Sequence, residues 1–138
     1  MKFMVCYDES DLSRRVVKEA QKHAKIWNAE LIVVRAIMRE EPIKHEKLIE
    51  MEEQLNSEIR NLFIDVDTPY TVQIEVDDMD EGQRIIKVAE RKKVDMIFLG
   101  PKKRSKVGKL LFGSNAQYIV LHAPCPVVTI TRLAVDWD

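Results

Sequence analysis

Five short aliphatic runs alternate with four amphipathic stretches along this chain, and that alternation limits the fold more than any other feature. "KFMVCY" (2–7), "ELIVVRAI" (30–37), "YTVQIEV" (70–76), "VDMIFL" (94–99) and Val127–Thr131 read as strands. The second run is apolar on consecutive positions, which suits a strand buried on both faces of a parallel sheet. The third alternates, as a strand nearer an edge does.

The intervening segments carry helical periodicity. Ser10 or Asp11 can cap the first, with Val16, Val17, Ala20, Ala24 and Ile26–Trp27 as its stripe and Asn28 as its stop. Leu48, Met51, Leu55, Ile59 and Leu62 recur at spacings of 3 and 4 within Glu40–Phe63. Asp80 opens a helix carrying Ile85, Ile86, Val88 and Ala89. Ser114–His122 carries Ala116, Tyr118, Ile119 and Leu121. Strands and helices in this order form right-handed βαβ units. The expectation is an α/β fold: a five-stranded parallel sheet, Rossmann-like and doubly wound, with helices on both faces. Ligands of such sheets bind beyond the carboxyl ends of the strands where the strand order reverses. The loops beginning at Asp8 and Gly100 are the candidates.

A length of 138 residues fits a single domain, 1–138. No apolar run approaches the roughly 20 residues of a membrane span, and Asp8 interrupts the apolar N-terminus. The expected location is therefore the cytoplasm, without a signal peptide. Cys6 and Cys125 form no CxxC pair and read as small buried hydrophobes.

Charge is unevenly spread. The chain holds 22 basic and 23 acidic residues, for a net charge of −1. Five of the cations, Lys102, Lys103, Arg104, Lys106 and Lys109, fall within ten residues; without them the balance is 17 against 23. A basic loop on an acidic protein favours a small anionic ligand over a nucleic-acid face.

That loop, "LGPKKRSKVGKLLFGSNAQ", also holds three of the four glycines. It is no Walker loop: Gly100 and Gly108 are eight apart, and Leu110 follows Lys109. GxGxxG is absent. What remains is Gly100, then Gly113–Ser114 opening a helix, whose free N–H groups and dipole suit phosphate. On spacing alone, a strand-end turn at Gly100 and a simple cap at Gly113–Ser114 account for these residues better than a phosphate site does.

The segment "GPKKRSKVGKLLFGSNAQYIVLHAPCPVVTI" resembles the C-terminal signature of the universal stress protein family, and "VCYDESDLSRRVVKEA" resembles its opening. The resemblance covers nearly the whole chain. It implies an adenine-nucleotide alpha-hydrolase-like fold, a regulatory role in stress survival, and a homodimer paired through the last strand, Val127–Thr131. One branch of the family binds ATP, with Mg, through G-x-x-G, nine residues, then G-S/T. Gly100, Gly113 and Ser114 match that pattern, with Arg104 to Phe112 as the nine residues. Lys103 stands at the second glycine. Two readings follow: its side chain closes the site, or its ammonium contacts phosphate. Asp8 matches the family's ribose- or adenine-side acid, and it also suits a turn or cap. Glu9 stands where the family commonly has glycine. Ala36 matches an aliphatic residue packed near adenine, and it also suits ordinary sheet packing.

The remaining chemistry-bearing residues carry less. His23, His45 and His122 are not spaced as metal ligands, and no GxSxG elbow is present. Asp77, Asp78, Asp80 and Glu81 read as a solvated turn, since Gly82 comes too early for a calcium loop. A binding module is expected rather than a fast enzyme, with no catalytic residue and no metal site assigned. The alternative is a dimeric interaction protein that binds no ATP, using the long charged helix and the last strand. An adenylating enzyme would need a glycine-rich loop after the first strand, and "YDESDLS" has none.

Overall fold

The computed structural model describes residues 1–101, 103–104 and 110–131, with backbone alone at 103, 104, 110 and 111. Its elements run in chain order β1 (Lys2–Cys6), α1 (Asp11–Trp27), β2 (Glu30–Met38), α2 (His45–Leu62), β3 (Tyr70–Asp77), α3 (Glu81–Lys92), β4 (Met96–Leu99), β5 (Lys103–Arg104), β6 (Leu110–Leu111), α4 (Ser114–His122) and β7 (Val127–Thr129). Five strands form one parallel sheet in the order β3-β2-β1-β4-β7. From β1 the chain winds outward through β2 and β3, then crosses to β4 and β7 on the other side. The order therefore reverses between β1 and β4, as the alternation predicts.

The period of two along each strand divides the core. Phe3, Val5, Leu31, Val33 and Phe98 face Val16, Val17, Ala20 and Ala24 of α1 and Leu55 and Ile59 of α2. Met4, Ile32, Val34, Ala36, Ile97 and Leu99 face Ile85, Val88 and Ala89 of α3 and Ala116 and Ile119 of α4. Helices thus cover both faces, and each fully buried aliphatic side chain contributes about 1.5–3 kcal/mol.

The helix ends follow the sequence. Ser10 is the N-cap of α1, its Oγ accepting from Ser13 N at 3.0 Å. Asn28 ends that helix in the left-handed region at φ 51°, where asparagine is tolerated best after glycine. The helix expected from Glu40 begins at His45 instead. Pro42 has no N–H to donate and disfavours helical geometry at Glu41. The last strand, expected over Val127–Thr131, spans Val127–Thr129, and its final rung is Ile130 N donating to Leu99 O at 3.0 Å. Within the basic loop, β5 and β6 pair antiparallel, Lys103 opposite Leu111 and Arg104 opposite Leu110. No periodicity in the sequence announces that hairpin. Cys6 and Cys125 are half-buried rather than buried.

The two outer strands differ. β3 carries Glu75, only 8% exposed, whose carboxylate accepts from Arg84 Nε (3.1 Å), Arg84 Nη2 (2.6 Å) and Arg91 Nη2 (2.9 Å), and from the Gln73 amide. A buried, fully engaged charge on an outer strand discourages a second chain from pairing there. β7 carries Val127, Val128 and Thr129, with no charged side chain. No helix among the described residues is long and apolar enough to cross a membrane.

Candidate functional site

A cavity of about 320 Å³ opens at the carboxyl ends of β1 and β4, where the strand order reverses. Asp8, Ala36, Gly100, Gly113 and Ser114 all line it. These residues are as many as 106 positions apart in sequence, and the fold brings them to one place. The side chain of Lys103, and the residues Lys102, Lys106 and Lys109, lie outside the described residues.

Each wall has its own cause. Asp8 follows β1 and is held by the turn into α1: its Oδ1 accepts from Ser10 N at 3.1 Å and from the Ser10 hydroxyl. The Ser13 hydroxyl accepts from Asp8 N at 3.3 Å and donates to Ser10 O at 2.9 Å. Asp8 is thus a turn aspartate and a cavity residue at once. The same turn drives Glu9 to φ 69°, a left-handed conformation that favours glycine. Beside them, Tyr7 donates from its hydroxyl to Glu58 Oε2 of α2 at 3.0 Å. Burial, reinforced by the bond to Glu58 and its charge, pushes the Tyr7 phenol up to about 12. Tyr7 is therefore a neutral donor that ties α2 to the cavity floor.

Ala36 joins Cys6, Val34, Ile85, Leu99 and Ile119 in an apolar wall. At Gly100 an added Cβ would lie 2.8 Å from Leu12 Cδ2 and 3.3 Å from Ile130 O. Glycine there lets α1 and β7 close over the end of β4. Gly113 differs: its φ of −67° suits any residue, and a Cβ would meet nothing within 4 Å. It leaves open space at the start of α4, where no side chain caps the first turn.

Three helix N-termini meet at the cavity, those of α1, α3 and α4. The Asn115 side chain, from the first turn of α4, accepts from Gly82 N of α3 at 2.9 Å. Gly82 makes that approach possible: a Cβ there would sit 2.9 Å from the Asn115 carbonyl oxygen. The charged side chains on the described walls are Asp8 and Glu81, both acidic.

This geometry has counterparts in known proteins. The model of the universal stress protein family matches residues 1–131. The chain belongs to that family. A universal stress protein of Thermus aquaticus, encoded in the 3' region of a QAH/OAS sulfhydrylase, is 29% identical over 135 residues, covering 92% of this chain and 96% of the relative. The solved universal stress protein of Archaeoglobus fulgidus is 28% identical and superposes with a TM-score of 0.79, covering 94% and 98% of the two chains. A structure from Archaeoglobus fulgidus in complex with dAMP superposes at 0.75 over 94% and 97%; at 24% identity that likeness is one of fold. The fold is the Rossmann-like one of the adenine-nucleotide alpha-hydrolases.

In this universal stress protein the sequence did not single out Ser10, Ser13, Gly82, Glu81 or Asn115 as cavity residues. The only available signal was Gly82 near the start of a helix, where glycine costs about 0.5–1 kcal/mol relative to alanine and so needs a packing reason. The acidic run 77–81 divides. The Asp77 carboxylate accepts from Asp78 N and Met79 N, Asp78 pairs with Arg39 at 3.0 Å, and Glu81 faces the cavity. The ring Nδ1 atoms of His23 and His122 bond carbonyl oxygens four residues back, Glu19 and Tyr118, each at 2.9 Å.

Proposed function

We propose that this universal stress protein is a regulatory module of the cytoplasm that binds an adenine nucleotide in the cavity between the ends of β1 and β4. The base lies against Ala36 and the apolar wall, Asp8 stands on the ribose side, and the phosphate meets the backbone at Gly113 and Ser114. Gly100 keeps the floor thin. The observation that carries this reading is the polarity of one cavity. It is apolar along Cys6, Val34, Ala36, Ile85 and Leu99, and it ends at the N-terminus of α4, which has no side-chain cap. A flat apolar base and an anionic tail fit those two ends. The relative solved with dAMP supports the choice of ligand class. ATP fits the same reading if Lys103 is tolerated, with Mg2+ carried largely by phosphate oxygens and water.

A homodimer through β7 is part of the proposal. The uncharged edge of β7 supports it, as do the neighbouring Val120 and Leu121 on α4, 44% and 76% exposed.

Calorimetric titration with AMP and with ATP–Mg, on wild type and Lys103→Gly, tests the site. Wild type is expected to bind one nucleotide per chain. Ligand at 100 times its Kd then raises stability by about 2.7 kcal/mol, seen as a higher Tm. Binding by Lys103→Gly alone would mean that the lysine closes the site, and the dimeric interaction protein becomes the better reading. No heat from either protein would remove the nucleotide altogether.

A further inference from the structure

Resting on that reading, we infer that Asn115 is a specificity-determining residue of the site. Its side-chain amide donates to an anionic oxygen of the ligand, a phosphate oxygen rather than a hydroxyl. The juxtaposition of Asn115 with Gly82 carries the inference.

Asn115 is the second residue of α4, half-buried, and it lines the cavity. Its Oδ1 accepts from Gly82 N of α3 at 2.9 Å. A backbone N–H can only donate, so this bond fixes which end of the amide is the oxygen. The other end is Nδ2, with two N–H donors and no acceptor. Among the described residues no bond to a protein group uses those donors. They are left for a ligand in the cavity. Phosphate oxygens only accept, and their charge strengthens the bond that an amide can make to them. The N–H groups of the first turn of α4 have no partner within the helix, and Gly113 before them leaves open space. Side chain and main chain thus offer donors at the same end of the cavity.

The amide is oriented before any ligand arrives. Asp80, the N-cap of α3, makes no side-chain cap bond, and Asn115 supplies an acceptor from another helix instead. Gly82 admits it: a Cβ there would sit 3.1 Å from Asn115 Oδ1 and 2.9 Å from Asn115 O. Holding the oxygen toward α3 removes one of the two orientations of the amide, and such preorganisation lowers the cost of binding. The role therefore needs oxygen toward Gly82 and nitrogen toward the ligand. Aspartate keeps the first and reverses the second.

Asn115→Asp and Asn115→Ala are titrated with AMP beside wild type by calorimetry, and with adenosine by amide chemical shifts. Thermal unfolding is followed for each. Asn115→Asp retains an acceptor for Gly82 N, and its Tm is expected within about 2 °C of wild type. Its affinity for AMP is expected to fall at least about tenfold, as for a lost bond to a charged group. Asn115→Ala adds no charge, and it is expected to bind AMP about threefold or more weakly. It also leaves Gly82 N without its acceptor, so its Tm is expected to be lower. Adenosine, which has no phosphate, is expected to bind all three proteins alike. AMP bound by both variants as tightly as by wild type would overturn the inference and leave the nucleotide site standing. So would a loss confined to Asn115→Asp, which needs only the added charge, or an equal loss of adenosine, which has no anionic oxygen. Failure of wild type to bind AMP would end both the inference and the functional reading.

Discussion

Gly82→Val is expected to destabilise the protein by about 3 kcal/mol, lowering Tm by about 10 °C. Gly82 is the second residue of α3, and its absent Cβ faces two main-chain atoms of α4, Asn115 O at 2.9 Å and Asn115 Cα at 3.1 Å, beside the Asn115 side-chain Oδ1 at 3.1 Å. Main chain cannot turn aside as a flexible side chain can, so the two helices must separate. Separation also breaks the 2.9 Å bond from Gly82 N to Asn115 Oδ1 and uncaps α3. Removing a helical glycine returns only about 0.5–1 kcal/mol of propensity, too little to offset the clash. Gly113→Ala is the contrasting case. Its Cβ enters open space, and stability should change by less than about 0.5 kcal/mol. Thermal and urea unfolding of the two variants beside wild type check both values. Equal stabilities for Gly82→Val and wild type would contradict the packing described for α3 against α4.

Glu75→Ala is expected to cost about 2 kcal/mol at neutral pH. The carboxylate joins β3 to two arginines of α3, and its loss leaves Arg84, which is four-fifths buried, with Asp77 at 3.4 Å as its remaining ion pair among the described residues. Arg91 is half exposed and regains water, so the cost falls below that of a wholly buried pair. Burial raises the Glu75 pKa, but hydrogen bonds from Arg84, Arg91 and Gln73 outweigh it and hold the carboxyl below its ordinary value. Because the folded value is depressed, the stabilisation is present above the unfolded pKa of about 4.3. It is lost as pH falls through the lower folded value. The stability difference between wild type and Glu75→Gln should therefore shrink as pH drops below about 4. Urea midpoints from pH 7 down to pH 3 measure it. A difference that stays constant or grows on acidification would contradict the pairing.

The alternation of strands and helices was legible because short aliphatic runs stand between stretches of helical period 3.6, and both cores are built from those residues. The point of strand reversal, and with it the cavity, was legible from the same order. Pro42 marked the true start of α2, but the apolar stripe that begins at Leu48 hid how late the helix starts. The hairpin of β5 and β6 was not legible, since two residues per strand show no period. Gly100 and Gly113 look alike in sequence. One is hemmed in by the Leu12 side chain and the Ile130 carbonyl oxygen, and the other stands in open space. Asn115 and Gly82 are 33 residues apart, and only the crossing of α3 on α4 makes them partners. Local pattern records burial well, but it does not record which two helix ends will meet.

The central claim is where the ligand sits, and backbone amide chemical shifts during an AMP titration test it most directly. The account predicts saturable shifts at Gly113, Ser114 and Asn115, with smaller ones at Asp8, Ala36 and Gly100, while the β3 amides stay still. Saturable shifts elsewhere that leave the start of α4 unmoved, or no shifts at millimolar AMP, would contradict it.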